Sequence, residues 1–322
     1  MRIFRGIHDP GLAPTCALTI GSFDGVHRGH QAMLALLINE ARHRGVPACV
    51  LTFEPHPRDF FVAQARAAGR AAEAPARIAT LRDKLAELAH CGIDQAVVLR
   101  FDARFAGQTP QDFIDDVLVR GLGVRYVLVG DDFRFGARRA GDYALLDAAA
   151  EARGFDVARM QSYEVHGQRV SSSAVRAALA SGDMARTAAL LGRPYSISGH
   201  VLHGQKLGRT LGFRTLNLRF DHPRPAAMGV FVVNVHGLAG RVLPGVASLG
   251  VRPSVDDSGR LLLETHCLDW PDALGADAGY GKVLRVELLH KLHDERMYPS
   301  LDALRAGIAA DVLAARAWFA RG

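Results

Sequence analysis

The 322-residue chain has little cysteine: four residues, Cys16, Cys49, Cys91 and Cys267, widely separated and with no CxxC pair. That spacing supports neither a disulfide framework nor a zinc cluster, and it points to a reducing compartment. No apolar run approaches the ~20 residues a membrane span requires. The opening stretch "MRIFRGIHDPGLAP" lacks the continuous apolar core of a secretory leader, so a cytoplasmic location is expected. The GxGxxG fingerprint is missing too, which disfavours a dehydrogenase. Charge is not gathered in one place. The formal net charge is +6 and the pI about 9.4, but the arginines are scattered rather than forming the patch or stripe of a nucleic-acid binder. The balance suits a small phosphate-bearing ligand, with no nucleic acid and no membrane as partner. No internal repeat is present.

Hydrophobic residues at 49% and charged residues at 22% are enough for a packed core, and the length favours two domains. The first half alternates. "CALTIG" (16–21) reads as a buried strand, "HQAMLALLINEARHRG" (30–45) as a helix stopping at Gly45, and "ACVLTF" (48–53) as a second strand. "QAVVLRF" (95–101), "PQDFIDDVLVRG" (110–121), "RYVLVG" (125–130), "GDYALLDAAAEARG" (141–154) and "FDVARM" (155–160) continue as strand, helix, strand, helix and strand. Strands buried on both faces and separated by helices indicate a parallel sheet with covered faces. The Ala/Arg-rich stretch "VAQARAAGRAAEAPAR" (62–77) has no clear apolar face and reads as a mobile surface loop with some helical character.

After residue 186 the pattern becomes β-rich: "YSISGHVLH", "GVFVVNV", "GVASLGV", "RLLLETHCLD" and "KVLRVELLH" lie between Gly/Pro-containing turns. The helix "SLDALRAGIAADVLAARAWFA" follows them. Such an order predicts a small β-barrel with one helix packed on it. The boundary falls in "SGDMARTAALLGRPY", giving domains 1–186 and 187–322.

Three stretches carry candidate chemistry. In "GSFDGVHRGH" (21–30) the chain leaves a strand and enters a helix, whose first turn offers unpaired N–H groups and a positive dipole end to an anion. Gly21, Gly25 and Gly29 permit close backbone approach. Placed in the incoming turn, His27 and His30 have i, i+3 spacing, so both rings lie on one side. Two imidazoles there can bind a triphosphate and stabilise charge on a phosphorus under attack. A turn with two solvated histidines, or a two-histidine metal site with no obvious third ligand, are other readings of the same spacing. In "VSSSAVRAAL" (170–179), serines preceding a helix cap it and leave N–H groups for phosphate, with Arg176 within reach of phosphate oxygens; an ordinary capped helix is the alternative. In "GHVLHGQKLGRTLGFRTLNLRF" (199–220), glycines including Gly204 and Gly208 allow a loop to fold over phosphates. The oxygens of Thr215 and Asn217 can coordinate Mg²⁺, although a hairpin with a polar end would look alike.

The first of these stretches resembles the HxGH nucleotidyltransferases. Together with "TFEPHP" (52–57), "VGDDFRFG" (129–136) and "VSSSAVRAAL", it is most similar to the bifunctional riboflavin kinase/FMN adenylyltransferase family. The resemblance implies an α/β fold: an N-terminal Rossmann-like nucleotidyltransferase domain with a parallel sheet, then a small β-barrel kinase domain with a terminal helix. It implies that His27, His30 and Arg176 hold ATP phosphates and stabilise the transition state. Gly21, Phe23, Asp24 and Gly29 would shape the nucleotide pocket with Ser172 and Ser173, the latter standing where the family usually has threonine. His56, Pro57, Asp132 and Arg134 would face the flavin, whereas Phe133 and Phe135 read as core.

The later stretch is similar to the riboflavin kinase signature Pro-Thr-Ala-Asn, here "RTLN", with Arg214 for proline and Leu216 for alanine. Thr215 and Asn217 remain as implied metal and phosphate ligands. Losing proline removes a fixed φ. "LLLETHCLDW" (261–270) aligns Glu264 with the family's catalytic glutamate, a carboxylate suited to taking the ribityl hydroxyl proton. "GVASLGVRPSV" and "YGKVLRVELLHKLHDERMY" also match, with His293 where arginine is common. The implied reactions turn riboflavin and ATP into FMN, then FMN and ATP into FAD and pyrophosphate, with Mg²⁺ as cofactor. A monomer or weak homo-oligomer is expected. Two rivals stay open: an adenylyltransferase whose altered "RTLN" loop has weakened or lost the kinase, and a flavin-binding regulator without turnover.

Overall fold

The structure is a computed structural model describing residues 1–165, 167–202, 212–220, 224–251, 261–271, 274–275 and 278–321. It divides into two compact units, one of Met1–Pro75 and Lys84–Ser171, the other of Ala76–Asp83 and Ser172–Gly322.

The first unit runs β1 (Arg2–Phe4), β2 (Cys16–Ile20), α1 (Arg28–Arg44), β3 (Ala48–Glu54), α2 (Pro57–Ala67) and α3 (Leu81–His90, from Lys84 onward). It continues with β4 (Gln95–Arg100), the short α4 (Ala103–Ala106) and α5 (Pro110–Asp112), a π-helical stretch Phe113–Gly121 and β5 (Val124–Gly130). α6 (Tyr143–Arg153), β6 (Asp156–Met160) and the two-residue strands β7 (Glu164–Val165) and β8 (Gln168–Arg169) complete it. Six strands form one parallel sheet in the order β1-β4-β3-β2-β5-β6. Both faces are covered, as the continuous apolar runs predict. Leu18, Ile20, Cys49, Leu51 and Val97 pack on one side with Phe113, Ile114, Val117 and Leu146. Ala17, Ala48 and Val50 pack on the other with Leu34 and Leu37 of α1 and Leu88 of α3. Period-two alternation sends neighbours along each strand to opposite cores.

The chain steps from β2 to β3 and β4 in one direction, while β5 and β6 lie on the other side of β2. The strand order therefore reverses beside β2, and in open parallel sheets ligands bind at the carboxyl ends of the strands flanking such a point. The loops bearing "GSFDGVHRGH", "VGDDFRFG" and "TFEPHP" leave β2, β5 and β3, three adjacent strands, at those ends.

The stretch 62–77 is helical at its start, in line with the helical character expected of part of it. Its first six residues finish α2, which starts at Pro57 behind a His56 cap and buries no residue. A helix without an apolar stripe leaves no periodic signal, and reading from Val62 overlooks the cap. At the other end Arg77 is buried in the second unit. There its N–H donates to the Arg224 carbonyl at 2.8 Å and its own carbonyl accepts from Ala226 N–H at 2.9 Å.

The second unit contains α7 (Ser172–Ser181), α8 (Met184–Leu191), six strands and α9 (Leu301–Phe319). The strands are β9 (Tyr195–Leu202), β10 (Leu216–Arg219), β11 (Gly229–His236), β12 (Leu243–Val251), β13 (Leu261–Cys267) and β14 (Val283–His293). They close a barrel in the order β10-β13-β12-β11-β14-β9, every pair antiparallel. Leu218, Leu263 and Leu249 stand opposite one another across three strands and are fully buried inside it. On the outer face Val230, Val232 and Val246 pack against Ala315 and Trp318 of α9.

Candidate active sites

His27 caps α1 rather than lying within it: φ −69° and ψ 169° make it extended, and its Nδ1 accepts the His30 N–H at 3.3 Å. An Nδ1 used as acceptor leaves the neutral ring's proton on Nε2, fixing the tautomer. The expected pairing of the rings holds. Their centroids lie 3.7 Å apart, stacked at 14°, and Phe23 sits 5.0 Å from His30 on another side. Gly29 makes room for the pair, since a Cβ there would stand 3.2 Å from His27 Nδ1. Burial, and then the neighbouring His27 ring, hold His30 well below its ordinary range, so this imidazole is neutral near pH 7. Its buried Nδ1 has no hydrogen-bond partner among the described residues. A buried polar atom left this way calls for a ligand or a functional reason.

Gly21 donates to the Leu51 carbonyl at 3.0 Å, and Asp24 is buried at the centre of the turn. His56, also buried, repeats the capping device: its Nδ1 accepts from Arg58 N–H at 3.1 Å, with Pro57 opening α2. After β5 the adjacent aspartates divide their work. Asp131 accepts from Ser162 Oγ at 2.7 Å and faces Arg169 at 3.5 Å; first the serine bond and then the arginine hold its carboxyl below the usual range. Asp132 and Arg134 are exposed, and Arg134 donates to its neighbour Phe133's carbonyl at 3.1 Å. Phe135 is in the core and Phe133 packs on it. Beside α2, Phe60, Phe61, Phe53 and Phe105 all meet Phe101 with ring centroids 5.4–5.7 Å apart. This aromatic cluster comes from β3, α2, the loop after β4 and α4, so no sequence spacing announces it.

Ser172 and Ser173 occupy the first turn of α7 rather than preceding it. Arg176, in the second unit, donates from Nε to the Ala76 carbonyl at 2.6 Å.

In the barrel, Asn217 of β10 stands opposite Glu264 of β13, and Glu264 stands opposite Ser248 of β12. Directly opposed residues in antiparallel strands share a face, so the three form a row on the face opposite to Leu218 and Leu263. Asn217 is buried and its Oδ1 is unpartnered among the described residues. Ser248 Oγ donates to Glu295 at 2.9 Å. Ser248 and Glu295 were not singled out from sequence, because strand register brings Ser248 to the row and Glu295, past the end of β14, meets it only through the fold. Thr215 is half-buried just before β10. Gly204 and Gly208 lie outside the described residues. Arg214 is held by its surroundings: its carbonyl accepts from His266 Nδ1 at 2.8 Å, and its guanidinium lies over Trp270 at 5.7 Å. Burial foremost, and Arg316 after it, push His266 below its usual range. The neutral ring therefore serves as an Nδ1–H donor.

A family model described as FAD synthetase matches residues 10–174, and one described as riboflavin kinase matches residues 191–319. The chain is 46% identical over 321 residues to the bifunctional riboflavin kinase/FMN adenylyltransferase of Escherichia coli strain K12, spanning 99% of this chain and 98% of that one. It is 45% identical to the protein of the same name from Pseudomonas fluorescens, over 98% and 97%. In three dimensions it resembles a crystal structure named as a macrolide-efflux protein from Streptococcus pneumoniae, with a TM-score of 0.75 at 25% identity over 98% of both chains. Among the described residues no helix is long and apolar enough to cross a membrane. With both family matches in one chain and full-length relatives carrying both names, the protein belongs to the bifunctional riboflavin kinase/FMN adenylyltransferase family.

Proposed function

We propose that the chain makes FMN and then FAD, each reaction having its own set of residues. In the kinase reaction the ribityl 5′-hydroxyl oxygen bonds to the γ-phosphorus of ATP as the bond to the β-phosphate oxygen breaks, giving FMN and ADP. Glu264 receives the hydroxyl proton as the new bond forms. Thr215 and Asn217 would hold Mg²⁺, a hard cation that takes oxygen ligands, and the buried, unsatisfied Asn217 Oδ1 fits that use. When bound, the ion neutralises phosphate charge. Gly204 and Gly208 belong to the phosphate loop in this reading. The altered "RTLN" does not displace the kinase assignment, because the relatives and family matches support both activities.

In the second reaction an FMN phosphate oxygen attacks the α-phosphorus of another ATP and pyrophosphate leaves. His27 and His30 stabilise the charge that gathers on the α-phosphate, with Arg176 as a phosphate ligand. Gly21, Phe23, Asp24, Gly29, Ser172 and Ser173 shape the nucleotide pocket. His56, Pro57, Asp132 and Arg134 face the flavin, and the Phe60–Phe61–Phe101 wall offers the ring system an apolar surface. The domains divide at 186/187, between family matches that end at 174 and resume at 191. The enzyme works in the cytoplasm on small molecules, as a monomer or weak homo-oligomer, without nucleic acid.

The main support is the stacked imidazole pair at the start of α1, with the His27 tautomer fixed by its cap, beside the reversal in strand order. Incubation with riboflavin, ATP and Mg²⁺, followed by mass-resolved product analysis, tests the reading. FMN and ADP should appear first, then FAD and pyrophosphate. FAD from supplied FMN but no FMN from riboflavin would favour the adenylyltransferase alone, and flavin binding without any product would favour a regulator.

A further inference from the structure

Lys84 is a cation enclosed in the first unit, only 4% exposed. Burying a lysine is costly unless its ammonium is hydrogen-bonded, so the identity of its acceptors carries information. The Nζ donates to the Ser22 carbonyl at 3.3 Å and to Thr52 Oγ1 at 3.1 Å. Thr52 is fully buried, and its hydroxyl donates to the same Ser22 carbonyl at 3.5 Å. Helix α3 thus reaches, through one side chain, to the loop leaving β2 and to the neighbouring strand β3.

The anchored carbonyl immediately precedes a strained turn. Phe23 has φ 48° and Val26 φ 41°, left-handed values that bulky and β-branched residues adopt only under constraint. Phe23 is 1% exposed, and its ring lies 5.0 Å from the His30 ring. A continuous set of contacts therefore runs from the Lys84 ammonium to the Ser22 carbonyl, through the strained Phe23 backbone, to the His30 ring. Strain of this kind persists only where the surroundings over-determine it, and Lys84 supplies one such determinant from inside the fold.

We propose that Lys84 is a positioning residue for adenylyl transfer, acting through Ser22 and Phe23 on His30. This inference rests on the role given to His30 above. Lys84→Met keeps the aliphatic stem and removes the donor. Because a misplacement of about 1 Å costs up to roughly 100-fold in rate, kcat for FAD formation should fall about 10- to 100-fold, with KM for ATP and FMN within about threefold of wild type. The ¹⁵N-histidine NMR signals of His30 should move while the backbone amide signals of the first unit keep their folded dispersion, which reports an intact unit, and riboflavin phosphorylation in the same sample stays at its normal rate. Lys84→Gln, which can still donate to a carbonyl, should recover part of the lost kcat. A Lys84→Met enzyme whose FAD-forming kcat stays within about twofold of wild type, less than one ordinary hydrogen bond is worth, overturns the proposal. So does a loss of kcat with the His30 signals unmoved. If Lys84→Met does not fold, Thr52→Val tests the same tether from its other side. It should give a smaller drop confined to kcat, and an unaltered kcat would refute the idea. His30→Ala is measured alongside: if it still makes FAD, the role of His30 has failed; if it does not and Lys84→Met does, the role of Lys84 has failed.

Discussion

The two proposed phosphate-transfer sites are built by opposite means. In the first unit, residues 21–30 are consecutive in sequence and are bent into a site by a short turn with two left-handed non-glycine residues and a histidine cap. In the barrel, Asn217, Ser248 and Glu264 come from three strands and meet through register alone. A turn-built site keeps its chemistry in the spacing of one motif. A strand-built site keeps it in the pairing of distant segments, where a slip of one residue would turn every side chain to the other face.

The sharpest way to break this comparison is to cross one substitution from each site. His30→Ala should lower FAD formation by about 10²- to 10³-fold and leave FMN formation intact, the range seen on removing a donor to developing charge. Glu264→Gln should lower FMN formation by about 10²- to 10⁴-fold and spare adenylylation of supplied FMN, as loss of a general base does. Steady-state assays with each flavin check both. Equal loss of both activities in either variant would mean the sites are not independent.

Asn217→Leu separates function from stability within the barrel. The orphaned Oδ1 is buried, and an unsatisfied buried acceptor costs about 1–3 kcal/mol. Removing it should leave the protein equally or more stable to denaturant. Kinase turnover should fall about 10- to 100-fold, with a higher Mg²⁺ requirement, if the amide oxygen serves the ion. A variant that is both destabilised and active would reverse the assignment.

The same contrast explains what could be read from sequence. The parallel sheet was legible because strands buried on both faces give runs such as "ACVLTF", and the pairing of the His27 and His30 rings was legible because their spacing brings them to one side. The start of helix α2 at Pro57 was not, since the helix buries no residue and opens on a histidine cap that no propensity scale favours. The docking of Arg77 against Arg224 and Ala226 joins segments about 150 positions apart in sequence, and no local pattern encodes it. Glu264 was singled out by resemblance, and its setting between Asn217 and Ser248 emerges only from the register.

Acid sharpens the comparison from the side of the first unit. His30 in the folded chain stays neutral well below its ordinary pKa of 6.5, whereas the unfolded chain takes up a proton there. The unfolded state then binds more protons, so this group's cost is absent above pH 6.5 and grows as pH falls below it, by up to about 1.4 kcal/mol per pH unit. His30→Gln should flatten this part of the stability profile measured by denaturant unfolding. An unaltered slope would mean that His30 titrates normally in the fold.

The smallest effect is expected at Arg214, the departure from the kinase signature. Proline there keeps the carbonyl that accepts from His266, so the restraint nearest Thr215 survives. Two other terms oppose each other. Losing the guanidinium over Trp270 costs about 0.5–1 kcal/mol for an exposed cation–π contact. Restricting φ in the unfolded chain returns about 0.4–1 kcal/mol where the native backbone accepts proline. Arg214→Pro should therefore change stability by less than about 0.5 kcal/mol, because the two terms nearly cancel, and kinase kcat/KM by less than about threefold, because the carbonyl restraint beside Thr215 is kept. In a Trp270→Ala background the cation–π term is already gone, and the same substitution should become stabilising. A loss beyond about tenfold in kcat/KM, or 1.4 kcal/mol of transition-state stabilisation, would mean that the arginine touches the nucleotide itself.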